Sequence, residues 1–144
     1  MRGYHQGMAE SPRITVEGAQ RIIDGTGFGP WWGFRVHSLG NGIAEVRLPY
    51  QKHFDRPGGL LQGPCVMALS DVAFWFAAMT IIGEEPMTVT LEMKTQFLRG
   101  ARGDLRCEAR VLQAGKRIVY GEASCYDGSG KLVSHHTLTY MRPG

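Results

Sequence analysis

The chain has 144 residues, of which 43% are hydrophobic and 20% are charged. This composition is typical of a globular protein and excludes a disordered chain, and the length fits one domain. The formal net charge is only +3 and no block of Lys or Arg stands out, which argues against a protein dedicated to nucleic-acid binding. We therefore expect a single domain over residues 1–144, in which residues 1–30 form an N-terminal extension with a short helix.

The cysteines and the first residues of the chain favour the cytoplasm. Cys65, Cys107 and Cys125 are odd in number and widely spaced, so they predict neither a disulfide framework nor a zinc site. Reduced thiols are typical of cytoplasmic proteins. Met1 to Ser11 is polar and lacks the apolar run of a signal peptide.

The first half of the chain predicts a short helix and a hairpin. The helix is expected at about Val16 to Asp24. Two strands, Phe34 to Leu39 and Ile43 to Leu48, flank Gly40-Asn41-Gly42, and Asn-Gly between two apolar runs is a strong hairpin signal.

The most apolar segment of the chain runs from Pro64 to Ile82. It is nearly long enough to span a bilayer, but Asp71 lies near its middle, where a charge in lipid would be costly. The segment therefore predicts a helix that is buried on nearly all sides inside a globular fold. We expect no membrane association.

Four further runs predict the sheet that surrounds this helix. They have the alternation or the composition of strands, and we expect Val89, Leu91, Met93 and then Phe97 to share one face of the first. Short turns between consecutive strands predict an antiparallel sheet, so the fold class is α+β, with a curved sheet wrapped around one long central helix. The four runs are Thr88 to Leu98, Asp104 to Gln113, Arg117 to Asp127 and Lys131 to Arg142.

The start of the apolar helix is the best candidate for chemistry. Gly63 is expected to cap the helix and Pro64 to occupy its first position, where a missing N–H is no loss. The unpaired N–H groups of a first helical turn can hold an anion, or the oxygen that becomes negative when a carbonyl is attacked. Asp71 follows about two turns later, and a buried carboxylate needs a partner, a raised pKa or a water-filled site.

The same segment resembles a known enzyme family. Gln62-Gly63-Pro64 followed by Asp71 is similar to the signature of hotdog-fold acyl-CoA thioesterases of the phenylacetic-acid-degradation type, in which His-Gly-Gly precedes an acidic residue by the same spacing. The resemblance covers roughly residues 32–140. It continues through Phe97-Leu98-Arg99-Gly100-Ala101, Gly115-Lys116-Arg117 and Asp127-Gly128-Ser129-Gly130.

The resemblance implies an acyl-CoA thioesterase with a hotdog fold, which acts as a homodimer or homotetramer with sites at the subunit interface. Asp71 would be the catalytic carboxylate that orients or deprotonates water or attacks the thioester, and Gly63 would polarise the thioester carbonyl through its N–H. Thr90 would help to hold the water, and Gln62 lies at the position of the family's His. The residues implied for substrate binding are Arg56, Gly59, Pro64, Arg99, Gly115, Lys116 and Arg117. Coenzyme A enters as part of the substrate, and no metal or other cofactor is implied.

This sequence departs from the family pattern at three positions. Gln62 replaces the usual His and cannot titrate near neutral pH, although it can still position a group by hydrogen bonding. Pro64 replaces the second glycine. Arg56 stands where an Asn or Gln often assists the water, and it could instead pair with Asp71 across the dimer or bind an anionic group of the ligand.

Two other functions remain open from the sequence. Gln62 and Arg56 would also suit a module that binds acyl-CoA or lipid without turnover. His53-Phe54 faintly resembles hotdog dehydratases or hydratases, in which a His works with an acidic residue of the helix.

Three further groups of residues favour structural roles. Cys65 has no obvious base beside it and is interpreted as a core residue, and His135 and His136 should point to opposite faces of a strand. For the aromatic side chains the sequence leaves pocket walls and core packing both open. These are Phe28, Trp31, Trp32, Phe74, Trp75 and Phe76.

Overall fold

The computed structural model describes residues 11–144. The polar N-terminus, apart from Ser11, and the first third of the expected extension lie outside the described residues. The described part of the chain has three α-helices, one short 3-10 helix at Lys52–Phe54, and six strands. The α-helices are α1 (Val16–Asp24), α2 (Phe28–Trp32) and α3 (Pro64–Ile82). The strands are β1 (Arg35–Gly40), β2 (Ile43–Leu48), β3 (Val89–Phe97), β4 (Leu105–Ala114), β5 (Ile118–Tyr126) and β6 (Leu132–Met141).

The six strands form one antiparallel sheet in the order β1-β2-β4-β5-β6-β3. The sheet is curved and α3 lies along its inner face, packed chiefly against β4, β2 and β5. The predicted α+β architecture is therefore confirmed, as are the predicted helices Val16–Asp24 and Pro64–Ile82. Helix α2 was not expected, because five residues that include a proline and a glycine carry no helical periodicity.

Helix α3 is central because it is apolar on every side. Its length and composition would suffice to cross a membrane, but 72% of its most apolar stretch is buried inside the fold. Phe74 and Phe76 are fully buried. Gly121 of β5 allows this close packing, since a Cβ there would lie 2.4 Å from the Phe74 ring and 2.1 Å from the Arg110 carbonyl oxygen.

The two edges of the sheet differ. At β1, the Gln20 side chain of α1 accepts a hydrogen bond from Val36 N and donates one to the Phe34 carbonyl, so α1 covers part of that edge. At β3, Val89, Leu91 and Phe97 are 48%, 52% and 60% exposed. A nine-residue edge strand with exposed apolar side chains is a surface suited to pairing with another strand.

A β-bulge interrupts the alternation of β3. The pairing with β6 shifts between Thr90 and Glu92, so that Leu91 has no direct partner. Thr90 and Met93 consequently both point toward α3, where Thr90 reaches Asp71 and Met93 contacts Ser70. The expectation that Val89, Leu91 and Met93 share one face is wrong for this reason, because a bulge inserts one residue into the period of two.

Candidate active site

Asp71 lies on the wall of a cavity of about 640 Å³ between α3, the start of β3 and the N-terminal helices. Asp71 and Trp75 are one turn apart on α3 and so share a face. Other lining residues are mostly apolar or aromatic, and Asp71 carries the only full charge among those described. They are Ile22, Thr26, Phe28, Trp32, Phe34, Ala68, Val72, Pro86, Thr88, Val89, Thr90 and Tyr140.

One oxygen of the Asp71 carboxylate is held by two hydroxyl groups. Thr90 Oγ1 donates to Asp71 Oδ1 at 2.7 Å, and the Tyr140 hydroxyl lies 2.5 Å from the same oxygen and 2.6 Å from the Asp71 carbonyl oxygen. Asp71 Oδ2 has no partner within residues 11–144. No Lys, Arg or His within the described part of the chain forms an ion pair with Asp71.

Sequence reasoning did not single out Tyr140. It is 2% exposed, and its ring packs edge-on against Phe74 at 5.1 Å. Burial first, and then the Asp71 carboxylate, hold the pKa of Tyr140 well above its ordinary value, so the phenol stays protonated and remains a donor. The available signal was the place of Tyr140 on the inward face of the last predicted strand.

Gly63 lies on a second cavity, of about 550 Å³, at the start of α3. Three residues predicted at the site line it together: Gln62, Arg56 and Arg99. The other lining residues are Leu60, Leu61, Val66, Phe97, Leu98, Gly100, Ala101 and Val133.

The backbone of Gly63 has the form expected for an oxyanion donor. Its N–H donates no hydrogen bond within residues 11–144, whereas the preceding Gln62 N–H donates to the Phe54 carbonyl at 2.9 Å. Gly63 is helical, with φ −53° and ψ −41°, directly before Pro64. A side chain at that position would meet Pro64, and its Cβ would also lie 3.2 Å from the Phe97 ring, so glycine suits the site.

Within one chain, Gly63 and Asp71 cannot act on the same carbonyl. They are eight residues apart on α3, which corresponds to about 12 Å along the helix axis. Each lines its own cavity. The candidate residues thus form two half-sites, one at each end of the first two turns of α3.

The remaining predicted binding residues are divided between the two ends of the sheet. Arg99 follows β3 on the Gly63 side, where its N–H donates to the Val133 carbonyl. The Gly115-Lys116-Arg117 turn lies at the opposite end, because β5 starts beside Met141 of β6, which in turn pairs with Val89.

The prediction for Gly59 and Pro64 finds less support in the geometry. Neither residue lines either cavity. Gly59 has φ +75° in a tight turn, and Arg102 donates to its carbonyl at 2.8 Å, so Arg102 clamps the loop that leads to Gly63. Pro64 is an exposed first residue of α3.

Comparisons with known proteins place the chain in a family. The model of the thioesterase superfamily matches residues 58–134, which include Gly63 and Asp71. The chain belongs to the thioesterase superfamily. A protein of Saccharolobus solfataricus with a provisional esterase name is 34% identical over 99 residues, 68% of this chain and 70% of its own length.

Solved structures agree with the superfamily assignment. A conserved protein of Pseudomonas aeruginosa is 36% identical, with a TM-score of 0.78 over 85% of this chain and 98% of its own. The PaaI protein from the phenylacetic acid degradation operon of E. coli is 19% identical and shares the fold, with a TM-score of 0.79 over 89% and 92% of the two chains. The predicted hotdog fold is confirmed. Superfamily membership and the names of relatives support a hydrolase activity.

Two other candidates from the sequence, Cys65 and His53, have surroundings that favour structural roles. Cys65 is buried, and desolvation together with the nearby Asp55 raises its pKa to about 11, which leaves it a poor nucleophile. His53 packs against Trp31 at 4.5 Å and lines neither cavity, so the geometry gives no support to a dehydratase.

The two adjacent histidines do point apart. His136 is fully buried between Thr95 at 2.9 Å and Ser134 at 2.8 Å, whereas His135 pairs with Glu122 at 3.0 Å. Residues 11–144 contain no group of three or more His, Cys, Asp or Glu side chains that could hold a metal ion.

The aromatic residues divide between core and cavity. Phe28, Trp32 and Trp75 line the Asp71 cavity, whereas Phe74 and Phe76 belong to the core. Two of the residues that line the Asp71 cavity have a buried polar atom without a hydrogen-bond partner in the described part of the chain. These atoms are Trp75 Nε1 and Thr88 Oγ1.

Proposed function

We propose that this chain is an acyl-CoA thioesterase that works as a homodimer or a dimer of dimers, with each active site shared by two protomers. The observation that carries the proposal is the division of the candidate residues into two half-sites on one chain. Gly63, Gln62 and Arg56 form one half-site, and Asp71 with Thr90 forms the other.

The edge strand β3 connects the two half-sites. Its first residues hold Thr90 against Asp71, and its last residue, Phe97, lies against Gly63. Thr90 and Phe97 are roughly 23 Å apart along an extended strand. If β3 pairs antiparallel with the β3 of a second copy, the start of one strand meets the end of the other. Each Asp71 half-site is then beside the Gly63 half-site of its partner.

The charges of β3 favour one register for this pairing. Glu92 and Lys94 flank Met93, which faces α3 together with Leu138. With the two-fold axis at Met93, Glu92 lies opposite the partner's Lys94 on both sides of the axis. Opposite charges directly across an antiparallel pair stabilise a sheet, so the strand edge is self-complementary.

Charge reversal at Glu92 tests this interface. In Glu92→Lys, two lysines meet at each of two positions across the axis, and we expect the dimer to weaken roughly tenfold, since one cross-strand charge pair is worth up to about 1 kcal/mol. Sedimentation velocity over a concentration series measures the effect.

The double variant Glu92→Lys/Lys94→Glu restores the opposite charges and should restore the dimer. Glu17→Lys makes the same change of charge on the exposed side of α1 and is the matched control. Full dimerisation of Glu92→Lys would contradict the register.

In the shared site, the Gly63 N–H donates a hydrogen bond to the thioester oxygen and stabilises the negative charge that develops on it. Asp71 of the partner subunit orients or deprotonates the attacking water, or adds to the carbonyl itself to give an anhydride that water then hydrolyses. In both routes the C–S bond breaks, its electron pair leaves with sulfur, and one proton from water completes the thiol. Gln62 does not titrate near neutral pH, so its contribution is positioning.

Basic residues in the Gly63 half-site and in a turn at the Asp71 end of the sheet suit the phosphates of coenzyme A. Arg56 and Arg99 line the Gly63 cavity, and Lys116 and Arg117 lie in the turn at the Asp71 end. Arginine and lysine bind phosphate as a fork and a point charge respectively. The apolar cavity beside Asp71 would take the acyl group.

Thiol release tests the proposed activity. Purified protein is incubated with short, medium, long and aryl acyl-CoAs, and free thiol is measured with a chromogenic reagent. We expect turnover of at least one acyl class. Binding of acyl-CoA by calorimetry without thiol release would instead support a non-catalytic binding module, for which Gln62 in place of His is the favouring observation.

A further inference from the structure

The two oxygens of the Asp71 carboxylate are hydrogen-bonded unequally. Both of its close donors, Thr90 and Tyr140, reach the same atom, Oδ1, at 2.7 Å and 2.5 Å. The second oxygen, Oδ2, has no donor within residues 11–144, although Asp71 lines the cavity. The two oxygens of one carboxylate thus have different surroundings.

The Tyr140 hydroxyl also fixes the backbone beneath the carboxylate. It lies 2.6 Å from the Asp71 carbonyl oxygen, so the same phenol contacts the side chain and the main chain of one residue. The ring itself is immobilised, because it is 2% exposed and packed against Phe74.

The strand geometry brings the two hydroxyls to one point. Thr90 is paired with Tyr140 across β3 and β6, and the bulge at Leu91 turns Thr90 toward the helix without moving Met93 from that face. Bulges commonly redirect a side chain beside an active site. Thr90 therefore donates its only hydroxyl proton to Asp71, and no second proton is left to donate to a water.

We propose that Tyr140 is a positioning residue for Asp71: together with Thr90 it holds Oδ1, so that Oδ2 is the oxygen that acts in the reaction. This inference rests on the proposed thioesterase function and adds a residue and an atom to it. When water attacks the thioester carbonyl, Oδ2 takes the proton of that water as the C–O bond forms. The same proton then passes to the sulfur that leaves with the electron pair of the C–S bond.

The kinetic test compares Tyr140→Phe with wild type. Phe keeps the packing against Phe74 and removes only the hydroxyl. Because a hydrogen bond to a charged group contributes substantially, we expect kcat to fall roughly tenfold or more with little change in KM. Asp71 and Tyr140 are the titratable side chains on this cavity, with no Lys, Arg or His among its described lining residues.

Control variants separate positioning from general damage. Thr90→Ser keeps a hydroxyl and should retain activity, whereas Thr90→Val should lose it to a similar degree as Tyr140→Phe. Tyr120→Phe removes an exposed phenol from β5 and should change nothing. A Tyr140→Phe enzyme with wild-type kcat would overturn the proposal. So would a loss explained entirely by a smaller folded fraction.

A second measurement does not depend on turnover. The Cζ carbon of Tyr140 is titrated by NMR in wild type and in Asp71→Asn, and the phenol should ionise at lower pH in the variant, because the charge of Asp71 is one cause of its raised pKa. Equal titration would overturn the contact between the two groups. If wild type releases no thiol from any acyl-CoA but this shift is present, the proposed function fails while the Tyr140–Asp71 coupling stands.

Discussion

Asp71→Asn is expected to lower kcat for thiol release by about 10³-fold, within the range that general acid–base residues supply. Asparagine has nearly the shape of aspartate, so its carbonyl oxygen can accept the hydrogen bonds that Thr90 and Tyr140 now donate to Oδ1. Its amide NH₂ would then occupy the position of Oδ2, where it can neither take a proton nor attack a carbonyl.

The substitution is informative because it separates chemistry from folding. Asp71 carries the only full charge among the described residues of its cavity, and the Asn variant removes that charge without creating a void. We expect unchanged circular dichroism, unchanged dimerisation and acyl-CoA binding within a few-fold of wild type. Thiol release at the wild-type rate by Asp71→Asn would exclude Asp71 from the reaction and with it the proposed mechanism.

The second large effect is expected at Gly63, where the backbone and not a side chain is proposed to act. Gly63→Pro removes the N–H, and φ of −53° at this position is compatible with the proline ring. Loss of one oxyanion donor typically costs about 10² to 10³ in kcat. Gly63→Ala is the matched control, because it keeps the N–H.

The two Gly63 variants share part of their structural burden, although proline also restricts the backbone of Gln62. Each adds a Cβ that would lie 3.2 Å from the Phe97 ring, and each places a substituted residue in a helical conformation directly before Pro64. Where the two variants have equal melting temperatures, the ratio of kcat between Gly63→Ala and Gly63→Pro reports chiefly the N–H. Equal rates for the two variants, with equal melting temperatures, would remove Gly63 from the oxyanion site.

Mixing the two inactive variants tests whether the site is shared. A mixed dimer of Asp71→Asn and Gly63→Pro has one site built from an intact Gly63 and an intact Asp71. Random reassortment should restore about a quarter of the wild-type rate, because half of the dimers are mixed and each has one intact site. No recovery in a mixture shown to contain mixed dimers would place both residues in the same protomer's site.

The sequence was sufficient for the fold because its signals are local. The period of two in β4, the Gly40-Asn41-Gly42 hairpin and the long, predominantly apolar run of α3 each indicate one element without reference to the rest of the chain. An all-round apolar helix in a chain of this size leaves few arrangements except a sheet wrapped around it. The spacing from Gln62 to Asp71, by resemblance, then pointed to the superfamily that the comparison found.

Local sequence signals do not predict side-chain contacts between distant segments of the chain. Tyr140 and Asp71 are far apart in the chain and meet only because β6 passes beside α3. The bulge at Leu91 has no sequence marker such as glycine, and it separated Val89 and Leu91 from the face that Met93 occupies. Arg102, which holds the Gly59 loop, likewise lies on another segment.

By itself, the sequence determined the order of the elements, the central helix and the two residues, Gly63 and Asp71, around which the proposal is built. Periodicity and turn chemistry act over a few residues, so a single chain read in order contains them. Only the tertiary structure decided that these two residues belong to separate half-sites at opposite ends of β3. It also decided that Asp71 Oδ1 is bound by two hydroxyl groups while Oδ2 has no donor among residues 11–144. Distances between atoms on different elements depend on how helix and sheet pack, and packing is a property of the whole fold.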